Sequence, residues 1–185
     1  HTPIVPAEDW QGKSGIGKYG DFVAQTDGSV GAILAALDRH GLAENTIVFF
    51  SADNGTSNAA KIRDLPGLGH FPSGPYRGSK ADLWEGGHRV PFLVRWPAKV
   101  KPGVSDALVG QIDFLATFAE ITGAAVPATM GEDSVSFLPV LRGEKPTVRQ
   151  GIVSQSINGS FAIRDDRWKL CLSAVANECI GELSL

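Results

Sequence analysis

The sequence predicts an α/β fold followed by a smaller antiparallel region, and three observations support this. Apolar residues recur at helical spacing from Tyr19 to Leu37. Two short apolar runs, at residues 46–52 and 91–96, lack alternation, as is typical of strands covered on both faces of a parallel sheet. Helix, short loop and buried strand in this order are characteristic of α/β proteins. We therefore expect a mostly parallel sheet in the first part of the chain.

Two helices are predicted with their ends. The first begins at Tyr19 and is followed by Gly41, at a position where a left-handed cap is favoured. The second has Asp113 as its N-cap and is closed by Gly123. A short loop connects the first helix to the apolar run at residues 46–52, which agrees with the α/β interpretation.

An antiparallel region is predicted after a subdomain boundary near residue 140. Three short runs have the composition of strands, at Gly151–Ser156, Ser160–Arg164 and Arg167–Leu172. The Asp165-Asp166 pair between the last two has the composition of a turn. We therefore expect these two strands to form a hairpin.

Charge and composition exclude several classes of protein. Lysine and arginine number 17 against 20 aspartate and glutamate, and no basic block is present, so the electrostatic footprint of a nucleic-acid binder is missing. No apolar run approaches the length that a membrane span needs. Cys171 and Cys179 are too few for a disulfide scaffold and lie too far from clustered histidines for a zinc site, which leaves the redox compartment open.

The first candidate site follows the first predicted strand. Asp53 and Asn54 stand where ligands bind in open α/β sheets, beyond the carboxyl end of a strand. A carboxylate and an amide carbonyl are hard oxygen ligands of the kind that Ca²⁺ or Mg²⁺ prefers. The alternative is that Asp53-Asn54-Gly55 is only a turn, because these residue types dominate turns.

The second candidate site is the long glycine-rich connection at residues 55–90, since loops of this length inside a compact domain are usually functional or disordered. Lys80 can offer a compact positive charge to a tetrahedral oxyanion, or it can be a solvated surface lysine. Arg77 either orients a substrate or braces the loop. His70 is a candidate contact for a substrate, although a loop histidine needs no ligand.

The order of several segments resembles the type I sulfatase (arylsulfatase) family of the alkaline-phosphatase-like superfamily. The resemblance covers roughly residues 1–172, and the joint order is far more specific than any single segment. The segments are His1-Thr2-Pro3, Phe50–Gly55, Arg77-Gly78-Ser79-Lys80, Glu85–Phe92, Arg95-Trp96-Pro97, Asp113–Thr117 and Arg164–Leu170.

The resemblance implies a sandwich fold and a set of site residues. Asp53 and Asn54 match the later half of the family's ligand set for one divalent cation, usually Ca²⁺, with Mg²⁺ less favoured. Lys80 and His1 match sulfate-binding, catalytic residues, while His70 and Arg77 are further substrate-binding candidates. Family chemistry uses a hydrated formylglycine, made from Cys or Ser in a C/S-x-P-x-R motif, to attack sulfur.

Two elements of the family pattern are missing from these 185 residues. No C/S-x-P-x-R string occurs, and no Asp-Asp pair precedes Asp53. We therefore expect the chain to be the carboxyl-side part of a sulfatase, inactive alone, with its formylglycine in a missing N-terminal part. Residues 1–140 would belong to the catalytic domain and residues 141–185 to a truncated C-terminal antiparallel subdomain.

The expected activity is hydrolysis of sulfuric esters of carbohydrates or aryl groups. The expected partner is thus a sulfated small molecule or glycan, with no nucleic acid, and the oligomeric state stays open. The family's usual setting implies a secreted, periplasmic or lysosome-like compartment. The alternatives are a non-catalytic scaffold that binds sulfated glycans and a phosphoesterase of the same superfamily. Zinc-using phosphoesterases usually place histidine at the position of Asn54, which argues against the last.

Overall fold

The structure is a computed structural model that describes residues 2–172 and the backbone of residues 180–182. Residues 1–98 form one compact unit and residues 99–185 a second. The division near residue 140 that the resemblance implies stays a prediction. No helix in the described part of the chain is long and apolar enough to cross a bilayer.

Helix α1 dominates the first unit and spans Lys18–Arg39. Its predicted start is confirmed to within one residue, and Gly41 has the left-handed φ of +66° expected of a helix cap. Asp21 in the first turn accepts hydrogen bonds from the backbone N–H groups of Ser14 and Gly12, both at 2.8 Å. The donors on Ser14 and Gly12 lower the pKa of the Asp21 carboxyl below its ordinary value.

Strands β1 (Val48–Ser51) and β2 (Phe92–Arg95) form the two-stranded sheet of this unit. They pair antiparallel, with Ser51 opposite Phe92, so the predicted parallel arrangement of these strands is wrong. An unbroken apolar run is commonest in strands of parallel sheets, but it does not require two such strands to pair in parallel. The connection at residues 52–91 is long enough for either direction.

The connection between β1 and β2 is mostly irregular, and it contains one helical turn, α2 (Glu85–His88). Short 3₁₀ turns occur along the described chain at Glu8–Trp10, Ala43–Asn45, Asn58–Ala60, Leu65–Leu68 and Gln111–Asp113. The described residues of the second unit include the helices α3 (Phe114–Thr122) and α4 (Leu138–Leu141).

Asp113 lies at the predicted N-cap position of α3, but its side chain makes no capping hydrogen bond to that helix. Its side chain is 0% exposed and forms an ion pair with Arg149. The carboxylate also accepts hydrogen bonds from the backbone N–H groups of Gly110 and Val135, both at 2.9 Å. A fully buried charge requires such partners, and they turn the carboxylate away from the first turn of the helix.

The second unit ends in an antiparallel sheet in the order β3 (Ile152–Gln155), β4 (Phe161–Arg164), β5 (Trp168–Leu172) and β6 (Ile180–Glu182). The three predicted strands and the hairpin are confirmed. Asp165 closes the hairpin turn by accepting hydrogen bonds from the backbone N–H groups of Trp168 and Arg167, which lower the pKa of the Asp165 carboxyl. Cys171 on β5 is buried and disulfide-bonded.

Candidate active site

Two backbone hydrogen bonds bring the end of β1 and the Lys80 loop together. The N–H of Gly55 donates to the carbonyl of Gly87 at 2.9 Å, and the N–H of Lys80 donates to the carbonyl of Thr56 at 2.9 Å. Residues 53–56, 77–82 and 85–88 therefore meet in one place, which we call the strand-end cluster. The sequence predictions of a site after β1 and of a site on the glycine-rich loop thus concern a single region.

Glycines permit the close contacts of the strand-end cluster. A Cβ atom on Gly55 would lie 1.8 Å from the carbonyl oxygen of Gly86. A Cβ on Gly86 would lie 2.3 Å from the carbonyl oxygen of Gly78, and one on Gly87 would lie 2.6 Å from that of Ser79. These separations exclude a side chain at all three positions, because the neighbouring atoms are backbone rather than flexible side-chain ends.

Asp53 and Asn54 offer oxygen atoms to a cation. Asp53 is exposed, and within the described part of the chain its carboxylate has neither a hydrogen bond nor an ion pair. The Asn54 Nδ2 donates to the carbonyl of Gly55 at 2.9 Å, which leaves its Oδ1 as the acceptor facing away from that bond. Two hard oxygens at one strand end fit a Ca²⁺ or Mg²⁺ site.

This pair supplies only part of a coordination shell. Ca²⁺ takes about six to eight oxygen ligands. Among the described residues, no group of three or more His, Cys, Asp or Glu side chains is placed to hold a metal ion. The assignment of Asp53 and Asn54 as the later half of a cation's ligand set therefore stays a prediction.

Lys80 lies half-buried in a tight turn. The N–H of Asp82 donates to the carbonyl of Ser79 at 3.0 Å, which closes the turn around Lys80 and Ala81. In the described part of the chain, the Lys80 ammonium forms no ion pair. Its charge is thus available to an anion rather than consumed by a neighbouring carboxylate.

Arg77 has one of the two roles considered for it from the sequence, that of bracing the loop. Its carbonyl accepts a hydrogen bond from the N–H of Gly86 at 2.7 Å, which braces the loop through the main chain. Its guanidinium lies 4.0 Å from the ring centroid of Trp84, in a cation–π contact. The side chain is exposed and held in one orientation, so a substrate-binding role for Arg77 stays a prediction.

Of the two histidines predicted for the site, His70 lies among the described residues, and none of its contacts given for them joins it to the strand-end cluster. The centroid of the His70 ring lies 5.9 Å from that of the Tyr19 ring on α1. The backbone N–H of His70 donates to the carbonyl of Leu65 at 3.1 Å. His70 therefore packs against α1, and its contact with a substrate stays a prediction. His1 lies outside the described residues.

Sequence reasoning did not predict the residues that hold the candidate site residues of the cluster in position. Thr56 anchors Lys80, Trp84 supports Arg77, and Asp82 closes the Lys80 turn. The Gly86-Gly87 doublet shortly before β2 was the available signal, because glycine often marks a place where another backbone approaches closely.

Comparison with known proteins identifies the family. The model of the family described as Sulfatase matches residues 1–124, and the model described as N-sulphoglucosamine sulphohydrolase, C-terminal, matches residues 79–180. An oxygen-rich strand end beside an unpaired lysine is a site suited to a cation and an anionic ester. The chain belongs to the sulfatase family.

Curated relatives agree with this assignment. An N-acetylgalactosamine-6-O-sulfatase of Bacteroides thetaiotaomicron is 41% identical over 172 residues, which cover 91% of this chain and 34% of that protein. Human arylsulfatase A is 33% identical over 174 residues, which cover 91% of this chain and 33% of the relative. The chain therefore spans about a third of the length of the curated relatives that it matches.

Solved structures confirm the fold class. A Bacteroides thetaiotaomicron sulfatase structure, described in terms of glycosaminoglycan metabolism, matches with a TM-score of 0.83 and 38% identity, covering 96% of this chain and 38% of the other. A sulfatase from Pseudoalteromonas sp. matches with a TM-score of 0.79 and 25% identity, covering 98% of this chain and 37% of the other. The chain has the α/β sulfatase fold, and the pairs of described strands are antiparallel.

Substitution of Gly55 tests the close backbone contact on which the cluster depends. Gly55→Ala should destabilise the protein by about 1–3 kcal/mol or more, since the new methyl would overlap the Gly86 carbonyl. The matched control is Gly67→Ala, whose Cβ would meet nothing within 4 Å and should change stability by less than about 0.5 kcal/mol. Denaturant midpoints measure both, and equal midpoints for the two variants would contradict the described packing.

Proposed function

We propose that the protein from which this chain comes is a sulfatase that hydrolyses sulfuric esters of carbohydrates or aryl groups. The hydrogen bond from the Lys80 N–H to the Thr56 carbonyl supports this most directly, because it joins the lysine to the strand end that carries Asp53 and Asn54. Family membership supports the same reaction class.

The names of relatives favour sulfated glycans as the substrate class. One relative is named for a sulfated amino sugar, and one matching structure is a complex with neocarrahexaose. Exposed and half-buried cations on the Lys80 loop are suited to an anionic carbohydrate.

In the proposed mechanism, Lys80 binds the sulfate group and offsets the negative charge that develops on its oxygens as the ester bond breaks. Asp53 and Asn54 would hold a Ca²⁺ ion, which would supply further charge neutralisation when bound. Arg77 would orient the sugar or a second anionic group. We place the formylglycine nucleophile outside these 185 residues, since no C/S-x-P-x-R string occurs in them.

The missing nucleophile motif also favours a second candidate, a non-catalytic scaffold that binds sulfated glycans. The sulfatase would hydrolyse the sulfuric ester, whereas the scaffold would only bind it. Both retain the role of Lys80 as the contact for the sulfate group.

Replacing Lys80 by Ala in the full-length protein tests the proposed reaction. The variant should lose about 10²–10³ in kcat/KM towards a chromogenic aryl sulfate, because one stabilising positive charge is removed from the transition state. Lys99→Ala, at an exposed lysine, is the control and should keep the wild-type rate. A wild-type rate in Lys80→Ala would refute the proposed role. If the full-length protein without substitutions binds sulfated glycan but does not hydrolyse the ester, the scaffold is favoured.

The cation site is tested by calorimetric Ca²⁺ titration of chelator-treated full-length protein. Asp53→Ala should weaken the Kd by at least about tenfold, roughly 1.4 kcal/mol, because a charged oxygen ligand is lost. Asn54→Ala should weaken binding less, since it removes a neutral ligand. Asp27→Ala, at an exposed carboxylate on α1, is the control for charge. An unchanged titration in Asp53→Ala would remove Asp53 from the ligand set.

We further propose an extracytoplasmic location, in a secreted, periplasmic or lysosome-like compartment. Cys171 is disulfide-bonded, and disulfides persist mainly in oxidising compartments. Protein purified from its native host without reductant, then unfolded, should therefore resist maleimide labelling until it is reduced. Labelling of Cys171 before reduction would count against this location.

A further inference from the structure

We propose that Asp82 is a positioning residue for Lys80, whose carboxylate fixes the turn that presents the ammonium to a sulfate group. The inference rests on the proposed role of Lys80 in binding sulfate. It adds a residue that neither touches the substrate nor belongs to the predicted site.

The Asp82 carboxylate is bound to the residue before Lys80. Its Oδ2 accepts a hydrogen bond from the N–H of Ser79 at 2.8 Å and another from the Ser79 Oγ at 3.3 Å. The Asp82 N–H donates back to the Ser79 carbonyl at 3.0 Å. Ser79 and Asp82 are thus joined by main chain and side chain, with Lys80 at a central position of the turn they enclose.

Backbone strain beside Lys80 shows that the turn is held by its surroundings. Ala81 has a φ of +83°, in the left-handed region that residues with a side chain rarely adopt. Such a conformation persists only where neighbouring contacts over-determine it. Asp82 supplies one of these contacts, and the hydrogen bond from Lys80 to Thr56 supplies another.

Burial makes the contact between Ser79 and Asp82 necessary. Ser79 is only 6% exposed, so its N–H would lack a water partner if the carboxylate were removed. An unsatisfied buried donor destabilises the conformation that leaves it so. The turn would then relax from the strained φ at Ala81 and displace Lys80, and a displacement of about 1 Å at a reacting group can lower a rate about 10²-fold.

The packing of Gly87 limits the positions that the turn at residues 79–82 can take. The Cα of Gly87 packs so closely on the turn that an added Cβ would lie 2.6 Å from the carbonyl oxygens of both Ser79 and Asp82. The turn is therefore confined between Gly87 on one side and the Thr56 hydrogen bond on the other. Asp82 acts from inside this confined turn, and its loss should shift Lys80 rather than unfold the chain.

The test measures kcat, KM and the inhibition constant of inorganic sulfate for Asp82→Ala in the full-length protein, alone and combined with Lys80→Ala. Asp82→Ala should lower kcat/KM by about 10- to 100-fold and weaken sulfate inhibition, because the ammonium is displaced. In the Lys80→Ala background the same substitution should have little further effect. Asp82→Asn keeps an acceptor oxygen for the Ser79 N–H and should restore part of the rate.

Asp64→Ala is the matched control, since Asp64 is an exposed carboxylate of the same connection whose side chain caps nothing. It should leave all three constants unchanged. Wild-type kinetic constants in Asp82→Ala would overturn the inference. So would a loss of kcat/KM of the same size in the presence and in the absence of the Lys80 side chain. If Asp82→Ala does not fold, the same comparison with Asp82→Asn decides. Wild-type constants in Lys80→Ala alone would instead refute the proposed function.

Discussion

The contact between Gly55 and the Gly86-Gly87 pair is the constraint on which the site depends. The end of β1 meets a segment far along the chain through direct backbone contact, and the Gly55 N–H donates to the Gly87 carbonyl at 2.9 Å. A side chain at Gly55 would separate the two segments. The approach brings the oxygen atoms after β1 and the Lys80 turn into one region.

Main-chain hydrogen bonds hold the segments of the cluster together, while the charges of Asp53 and Lys80 have no ion-pair partner among the described residues. Hydrogen bonds between main-chain groups hold Thr56 to Lys80 and Arg77 to Gly86. Asp53 and Lys80 have no ion pair within the described part of the chain. This arrangement keeps each charge ready for a ligand, since a site held by its own ion pairs would have to break them on binding.

The sequence alone predicted much of the frame and part of the site. The strand after residue 46, the helix from Tyr19 and the terminal antiparallel hairpin follow from apolar spacing and turn composition, and the structure confirms them. Strand direction was mispredicted, because continuous apolar composition favours a parallel sheet without fixing how two particular strands pair. The ion pair of Asp113 with Arg149 was not predicted for a related reason, since it joins residues whose proximity no local pattern reveals.

The same limit applies to Asp82. An Asp two residues after a loop lysine is unremarkable in sequence, and the fold is needed to show that it accepts hydrogen bonds from the buried Ser79. Asp53 and Asn54 were easier to propose, because a position after a strand carries information by itself, and their role as cation ligands stays a prediction. The sequence showed which residues could bind a ligand, whereas the contacts that orient those residues could be found only from the fold.

The antiparallel pairing of β1 with β2 also allows the connection between them to vary in length while its two ends stay fixed. Because Ser51 stands opposite Phe92, the connection leaves and returns at one end of a ladder, and the cluster fastens it again at residues 55–56 and 77–87. Residues 57–76 therefore form a closed excursion whose two ends are anchored independently of its length. Closure entropy rises by only about 0.6 kcal/mol for each doubling of such a loop. Insertions there can lengthen the excursion while Lys80 keeps its place.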